Sequence, residues 1–461
     1  MSLIIAGERS GVGKTTVTLS ILAFLAQKTQ QTVQGFKVGP DYIDPMFHTA
    51  ITGRYCRNLD PILTSPNYVR SCFNLYSSQA DYAVIEGVMG LFDGVNFNSE
   101  ANYASTAHIA RLLNIPVLLV LDCSGLSGSI AAIAQGFRIL DPKITIAGVI
   151  LNRVASDRHL ELLSEALESI NLPILGVMRR HPDIAIPDRH LGLIPTQELP
   201  QLAQIFKKLA HIAHASFKWD KLLPLLSAKS SQQTTTLEPT KLTDRPLKIA
   251  VARDRAFNFY YQDNLDILTR LGATICDWSP LTAAQIPSDV AGFYFGGGFP
   301  EVFAEELAAN WTVKKQLQQL IKQNIPVYAE CGGLMYLCDR VIDLQQKSWQ
   351  MVGVIPATAT MTSRLTLGYR QTLSINKNSL MATFLNANSI WGHEFHRSKL
   401  TQISSQPLWK LRGCGLNRAT VAEGWQIYQT HASYLHLHFG ESTFLLKKWL
   451  NYCRDYKNQL L

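Results

Sequence analysis

No apolar run in this sequence is long enough to cross a bilayer. Stretches such as Ile115 to Leu121 stop far short of the roughly 20 residues a spanning helix needs, so no membrane partner is expected. The opening Met1-Ser2-Leu3-Ile4-Ile5 has no basic segment and runs directly into a glycine loop, so a secretory leader is not expected and the cytoplasm is the expected location. Eight cysteines are present, yet none are spaced C-x-x-C, which fits reduced thiols better than a disulfide framework or a zinc site. Charged residues make up only 17%, and the net charge of +8 is dispersed, with no basic stripe interleaved with aromatics. A nucleic-acid partner is therefore not expected, and an anionic small molecule or plain solubility accounts for the charge. There is no internal repeat.

What is present is 47% hydrophobic residues over 461, more than one ordinary core accommodates, so two or three domains are expected. Residues 227–246, with Ser-Ser-Gln-Gln-Thr-Thr-Thr, prolines and charges but no apolar period, read as an exposed connector between 1–226 and 247–461.

The chain's chemistry is most legible at Ile325-Pro326-Val327-Tyr328-Ala329-Glu330-Cys331-Gly332-Gly333-Leu334. An apolar strand ends in one cysteine, and two glycines open a short helical run to Leu337. That is the pattern of a nucleophile elbow, with the glycines relieving crowding around the side chain. A thiol at a helix N-terminus is expected to favour thiolate. A small buried strand cysteine is the bland alternative.

The first half reads as a phosphate-binding α/β domain. Ser2 to Gly7 reads as a buried strand and Thr15 to Gln27 as a helix, with Glu8-Arg9-Ser10-Gly11-Val12-Gly13-Lys14-Thr15-Thr16 between them. Gly11 and Gly13 would let backbone N–H groups wrap phosphates, Lys14 would reach the outer phosphates, and Thr15 would coordinate Mg²⁺. The strict pattern wants glycine where Glu8 stands, and Gly7 falls one residue early. Strands at 33–38, 82–86, 116–122, 144–152 and 173–178 alternate with helical stretches, which implies a mostly parallel sheet covered on both faces. Ligands gather at the carboxyl ends of such strands, where Lys37, Asp41, Asp44, Glu86, Asp122 and Asn152 fall. Asp41 and Glu86 join Thr15 as candidate Mg²⁺ ligands, hard oxygens suiting the ion. Asn152 is a candidate reader of adenine, or a turn residue.

Phe36-Lys37-Val38-Gly39-Pro40-Asp41-Tyr42-Ile43-Asp44-Pro45 with His48, Glu86-Gly87-Val88-Met89-Gly90-Leu91-Phe92-Asp93-Gly94, and Ile186-Pro187-Asp188-Arg189-His190-Leu191-Gly192-Leu193 resemble the signatures of the cobyrinate a,c-diamide synthase family along essentially the whole chain. The resemblance implies a dethiobiotin-synthetase-like ATP domain whose acceptor is a corrin-ring carboxylate. It implies that Asp41, Asp44, Glu86 and Asp93 lie near ATP, Mg²⁺ or the acceptor, and it makes Lys37 and Tyr42 candidate substrate contacts. Arg179, Arg180, Arg189 and His190 are expected either to meet anionic substrate groups or to be solvated. Arg9 stands where the partitioning-ATPase branch of this superfamily carries a signature lysine, which keeps a second reading open: a dimerising ATPase switch that positions cargo.

The second half reads as an amide-hydrolysing domain of the class I, triad-type glutamine amidotransferase kind. A strand at 292–295 runs into Gly296-Gly297-Gly298, whose N–H groups, with that of Gly332, are candidates for an oxyanion hole. Tyr434-Leu435-His436-Leu437-His438-Phe439 reads as a strand with both histidines on one face. In triad amidotransferases the base lies on a strand with a carboxylate two residues later. Here His436 matches the base and His438 stands in the carboxylate's place, which leaves the orienting group open. Gly392-His393-Glu394-Phe395-His396 has the wrong spacing for a zinc-protease helix and no third ligand, and is placed near the glutamine site or the domain interface.

Together these imply a ligase. ATP would phosphorylate a carboxylate, and Cys331 would take glutamine's amide as a thioester and release ammonia that passes internally to the acyl phosphate. By resemblance, the a and c carboxylates are amidated in turn. The expected small molecules are ATP, Mg²⁺, glutamine and cobyrinate, and a homodimer is left open.

Overall fold

The computed structural model describes residues 2–29, 31–97, 100–180, 188–189, 192–228, 242, 246–375, 390–414 and 419–460. The expected connector falls largely outside them. The chain divides into two compact units, 1–61 with 65–236 and 62–64 with 237–461.

The first unit is built on seven parallel strands: β1 (Leu3–Gly7), β2 (Val33–Val38), β3 (Arg57–Leu59), β4 (Tyr82–Glu86), β5 (Val117–Asp122), β6 (Ile146–Val154) and β7 (Ile174–Arg179). Their order across the sheet is β3-β2-β4-β1-β5-β6-β7. Every residue of β1, β2 and β5 is buried, as expected of a sheet with helices on both faces. The order reverses direction around β1, and helix α1 (Lys14–Lys28) follows β1 directly, so the loop between them opens at the strands' carboxyl edge. The next helix, α2 (Ile43–Thr52), follows β2 and brings a second set of polar residues to the same edge.

The second unit holds two sheets. Its strands are β8 (Leu247–Ala252), β9 (Ala273–Trp278), β10 (Gly292–Phe295), β11 (Val327–Glu330), β12 (Cys338–Ile342), β13 (Ser348–Gln350), β14 (Ile355–Ile375), β15 (Trp391–Leu400), β16 (Trp409–Gly413), β17 (Thr420–Glu423), β18 (Trp425–Ile427), β19 (Thr430–Ser433) and β20 (His436–Leu437). The first sheet runs β9-β8-β10-β11-β19-β18 and is parallel except for its β19–β18 edge. The second runs β13-β12-β14-β15-β20, with β16 also on β14 and β17 on β16. Among the described residues the chain crosses between the sheets three times: from β11 through Cys331 and helix α3 (Gly332–Leu337) into β12, from β17 through Gly424 back into β18, and from β19 through Tyr434 and Leu435 into β20. The first crossing carries Cys331 and the last leads into His436, both singled out by sequence. The strand expected over Tyr434 to Phe439 is ladder-paired only at His436–Leu437, opposite His393 and Gly392.

No helix of the described residues is long and apolar enough to cross a membrane.

Candidate functional sites

The β1–α1 loop has the conformation a phosphate cradle needs. Gly11 and Gly13 adopt φ of 78° and 96°, in the left-handed region that favours glycine. A Cβ on Gly11 would meet nothing, whereas one on Gly13 would stand 2.2 Å from Asn152 Nδ2. Lys14 opens α1, and with no ligand its ammonium donates to Arg9 O at 3.1 Å. Burial and then the neighbouring Lys37 ammonium pull Lys14 down to about 8. Thr15 and Thr16 occupy the first turn of α1, where unpaired backbone N–H groups suit phosphate.

Asn152 shapes the loop from beneath: its Nδ2 donates to Val12 O at 2.7 Å and its Oδ1 accepts from Arg153 N at 3.0 Å. Arg153 clamps the same loop, donating to Gly11 O (3.0 Å) and pairing with Asp122 (2.5 Å). Arg9 shares that Asp122 carboxylate at 3.0 Å and also pairs with Glu8, the residue that replaces the expected glycine.

Beside the loop lies a buried charge cluster centred on Lys37. Its ammonium is 2.5 Å from Asp44 Oδ2, 3.0 Å from Glu86 Oε1 and 3.2 Å from Gly87 O, which uses all three of its hydrogens. Burial alone would pull Lys37 down, but Asp44, Glu86 and Asp41 outweigh it and hold the charge on. Lys37 therefore serves this cluster as an internal counter-ion. Glu86 also accepts from Thr15 Oγ1 (2.7 Å) and meets His48 Nε2 (2.7 Å). Burial would raise the Glu86 carboxyl, but Lys37 and His48 prevail and keep it ionised. Asp44 moves the other way, up to about 8, through burial and the adjacent Asp41 charge. Removing one member of such a cluster would leave a buried charge uncompensated, at a cost of about 3–5 kcal/mol.

The hard oxygens nearest the Thr15 hydroxyl are those of Glu86 and, at 3.5 Å, Asp44. Asp41, expected as a metal ligand, spends Oδ1 on the N–H groups of Ile43 (2.8 Å) and Asp44 (3.1 Å) at the start of α2, while Oδ2 stands 3.9 Å from Lys37. No group of three His, Cys, Asp or Glu side chains is poised to hold a metal among the described residues. A threonine hydroxyl with two carboxylates fits a cation that keeps most of its coordination in water and phosphate, as Mg²⁺ does.

Tyr42 precedes α2 and is buried. Asp93 is exposed and accepts from Gly90 N at 2.8 Å. Arg179 pairs with Asp157, and Arg180 reaches Ser124 Oγ at 3.4 Å. His190 lies outside the described residues, and Arg189 pairs with Gly192 through the backbone.

In the second unit Cys331 adopts φ 48° and ψ −98° at the N-cap of α3. For a residue with a Cβ this is strained, of order 1–3 kcal/mol, and such strain collects at functional sites. The bend is forced by packing: a Cβ on Gly333 would stand 2.5 Å from Phe295 Cβ, and one on Gly332 would stand 3.0 Å from Gly298 N. The expectation of a resting thiolate does not hold. The thiol is 3% exposed, and burial, then the Glu301 charge, pushes it up, while the Gly332 N–H only partly offsets this. A helix of six residues brings too little dipole to reverse it. The thiol faces Phe395 O at 3.8 Å, which puts the Gly392–His396 motif at the nucleophile, on a strand.

Gly297 and Gly298 bring His436 to the same place. A Cβ on Gly297 would stand 2.4 Å from His436 Cε1, so only glycine lets the imidazole lie against this turn. Gly297 N–H is spent on Phe259 O at 3.3 Å, so it is a packing residue and not an oxyanion donor. Gly298, with φ 152°, lies against Gly332, and those two amides are the ones left for an oxyanion.

Sequence reasoning missed Glu330, which precedes the nucleophile. It is 2% exposed, and Oε2 lies 3.6 Å from His436 Nδ1. Its Oε1 accepts from the Tyr328 hydroxyl (2.6 Å) and from Leu437 N (3.0 Å). One carboxylate therefore holds the backbone of the histidine's segment and stands beside its ring. Asn264 clamps the same segment, donating to Leu437 O and accepting from Phe439 N, both at 2.8 Å. His438, which stands in the usual carboxylate position, is turned to Asp263 (3.7 Å) and to the Tyr261 ring. The available signal was a carboxylate inside an otherwise apolar strand, a residue that is expensive to bury without a task.

Two family models match the chain: a CobQ/CobB/MinD/ParA nucleotide binding domain over residues 3–194, and a CobB/CobQ-like glutamine amidotransferase domain over 248–444. Among curated relatives, the cobyrinate a,c-diamide synthase of Synechococcus sp. is 54% identical over 99% of both chains. That of Synechocystis sp. is 50% identical over 100% of this chain and 95% of its own, and that of Priestia megaterium 40% identical over 99% and 98%.

Proposed function

This chain belongs to the cobyrinate a,c-diamide synthase family, and from that premise we propose how its residues divide the family's reaction. The protein is a glutamine-dependent, ATP-consuming ligase that amidates the a and c carboxylates of cobyrinate in cobalamin biosynthesis. The observation that carries the division is the convergence of Cys331, Gly298, His436 and Glu330 in one unit, while Lys14, Thr15 and Glu86 converge in the other.

In the first unit, a substrate carboxylate oxygen attacks the γ-phosphorus of ATP. The new O–P bond replaces the bond to ADP, and oxide is converted into a phosphate leaving group. Lys14 swings from Arg9 O onto the phosphates, and the α1 amides hold them. Mg²⁺, when bound with the nucleotide, supplies positive charge to the transferring phosphoryl group; Thr15, Glu86 and Asp44 would hold it. Lys37 keeps Glu86 ionised for that task, and Asp93, Tyr42, Arg189 and His190 remain candidates for the acceptor. Ammonia then attacks the acyl carbon, a C–N bond forms, and the C–O bond to phosphate breaks.

In the second unit, His436 Nε2 takes the thiol proton as sulfur attacks the amide carbon of glutamine. Gly298 and Gly332 N–H groups receive the developing oxyanion. His436 returns the proton to the leaving nitrogen, ammonia departs, and water cleaves the thioester to glutamate. The thiol is neutral at rest, so it is activated only when this transfer is coupled to attack. Glu330 holds Nδ1–H toward itself and so presents Nε2 to the thiol. The separation of 3.6 Å is looser than a hydrogen bond, as such contacts often are before substrate binds.

Glu330→Gln tests that role. It preserves shape but turns an acceptor into a partial donor, and glutamate release from glutamine should fall about 10²–10⁴-fold. The ammonia-driven reaction reports that the other unit is intact, and an unchanged glutaminase rate would show that the carboxylate only fills space. The whole reading is tested by mass spectrometry of cobyrinate incubated with protein, ATP, Mg²⁺ and glutamine. Two successive acid-to-amide shifts are expected, and an unaltered corrinoid would refute it.

A further inference from the structure

His48 and Cys56 have no task in the mechanism above, yet both are buried beside Glu86, at 0% and 4% exposure. His48 stands on α2 and Cys56 immediately before β3. The three side chains form a line: Cys56 Sγ lies 3.4 Å from His48 Nδ1, and His48 Nε2 lies 2.7 Å from Glu86 Oε2.

The direction of each hydrogen bond follows from its ends. Glu86 faces the Lys37 ammonium through Oε1, and a carboxylate so paired only accepts, so His48 Nε2 carries a proton and donates it. At the other end the thiol is the donor. Burial, and then the Glu86 charge, pushes Cys56 up and keeps its proton on sulfur. The nearer acceptor for that proton is Nδ1, because Arg57 O is 3.9 Å away. The imidazole is thereby held in the tautomer that offers N–H to Glu86 and a lone pair to the thiol.

The surroundings fix the ring in place. A Cβ on Gly35 would stand 2.9 Å from His48 Nδ1, so the ring lies against β2 where only glycine leaves room. Cys56 is tied to the same helix as its partner, its N–H donating to Thr49 Oγ1 at 3.1 Å. Asp44 and His48 are four residues apart on α2, so one helix face delivers both to the Lys37–Glu86 cluster. The two oxygens of Glu86 are divided as a result. Oε1 meets Thr15 Oγ1 and Lys37, and Oε2 meets His48.

We propose that His48 is a positioning residue for the phosphoryl-transfer centre and that Cys56 holds it in that role. The pair anchors Glu86 through Oε2, so that Oε1, the oxygen beside Thr15, is the one presented to nucleotide-bound Mg²⁺. The proposal rests on the reading of Glu86 as a Mg²⁺ ligand and adds the groups that aim it. Outer partners of a metal ligand are typically worth about 10–100-fold in metal affinity.

Binding of a fluorescent ATP analogue to the whole protein, titrated with Mg²⁺ in the absence of corrinoid, reads this role apart from turnover. Wild type is expected to bind the analogue weakly in EDTA, through Lys14 and the α1 amides, and to tighten as Mg²⁺ is added. In His48→Leu the Mg²⁺ concentration at half-maximal tightening should rise about 10–100-fold, while affinity in EDTA stays as in wild type because the loop is untouched. His48→Gln, whose amide N–H can stand in for Nε2–H, should recover most of that loss. Cys56→Ala should raise the same midpoint about 2–10-fold, the worth of one hydrogen bond, and Cys56→Ser, which keeps a donor, should restore it. Thermal unfolding checks each variant, and where His48→Leu does not fold, the two Cys56 variants decide the matter. The proposal is overturned if folded His48→Leu keeps the wild-type Mg²⁺ midpoint, or if Cys56→Ala and Cys56→Ser behave alike. It is also overturned if affinity in EDTA falls in step with the Mg²⁺ response, which would mean a collapsed loop. Binding by wild type that ignores Mg²⁺ would instead sink the reading of Glu86 as a ligand, and the proposal with it.

Discussion

Cys331→Ser is expected to lower glutamine-dependent amidation by at least about a thousandfold while the ammonia-driven reaction keeps its wild-type rate. The size of the loss follows from chemistry. A serine hydroxyl is a far weaker acid than even a buried thiol, and nothing near position 331 is strong enough to deprotonate it at rest. The site compensates for the high thiol pKa by coupling proton transfer to attack, and that compensation is built for sulfur. The sparing of the ammonia route follows from the two units having separate cores and separate polar clusters. Serine also fits the strained backbone without enlarging the side chain, so an effect on folding should be small. Comparing product formed from glutamine with product formed from ammonium chloride measures both arms, and equal loss on both routes would contradict the division of labour.

Lys14→Met is expected to lower both routes together, by about 10²–10³-fold, because a donor to the transferring phosphoryl group is lost whichever nitrogen source is used. Methionine keeps the unbranched stem that packs beneath Gly7, where a Cβ would stand 3.0 Å from Lys14 Cγ. Glutamate release in the absence of ATP should persist, because it belongs to the other unit. A variant that retains full synthesis would show that the loop binds something other than a nucleotide undergoing transfer.

The parts legible in sequence were those whose chemistry is local. A strand, a glycine loop and Lys14-Thr15 are contiguous, so the phosphate cradle is readable from nine residues. Cys331 is legible for the same reason, because its strand, its bend and its two glycines adjoin it. Parallel strands declared themselves as short buried runs, and several match residue for residue, among them Val33–Val38, Tyr82–Glu86 and Gly292–Phe295. What was hidden depends on contacts between distant positions. Lys37 and Glu86 are 49 residues apart, and only the pairing of β2 with β4 makes Lys37 a counter-ion and not a free cation. Asn152 reaches Val12, 140 residues earlier, a contact that no local pattern records. Glu330 was not legible because the family pattern directs attention two residues past the histidine, whereas Glu330 reaches the same ring from the strand that carries Cys331. The second sheet of the amidotransferase unit escaped because it is assembled by pairing segments far apart in the chain, such as β14 with β15 and with β16, which no local pattern records. The thiolate expectation failed on magnitude: desolvation of a nearly sealed sulfur outweighs the field of a six-residue helix.

The claim beneath all of this is that nitrogen freed by a thiol in one unit is joined to an acid activated as its phosphate in the other. A double-isotope experiment tests it most directly. Cobyrinate labelled with ¹⁸O in its a and c carboxylates is incubated with ATP, Mg²⁺ and glutamine labelled with ¹⁵N in the amide, and phosphate and corrinoid are both weighed by mass spectrometry. The account predicts one ¹⁸O in the inorganic phosphate and one ¹⁵N in the corrinoid for every amide formed. Unlabelled phosphate beside an amidated corrinoid would contradict activation through an acyl phosphate, and amidation without ¹⁵N would contradict the thiol as its source.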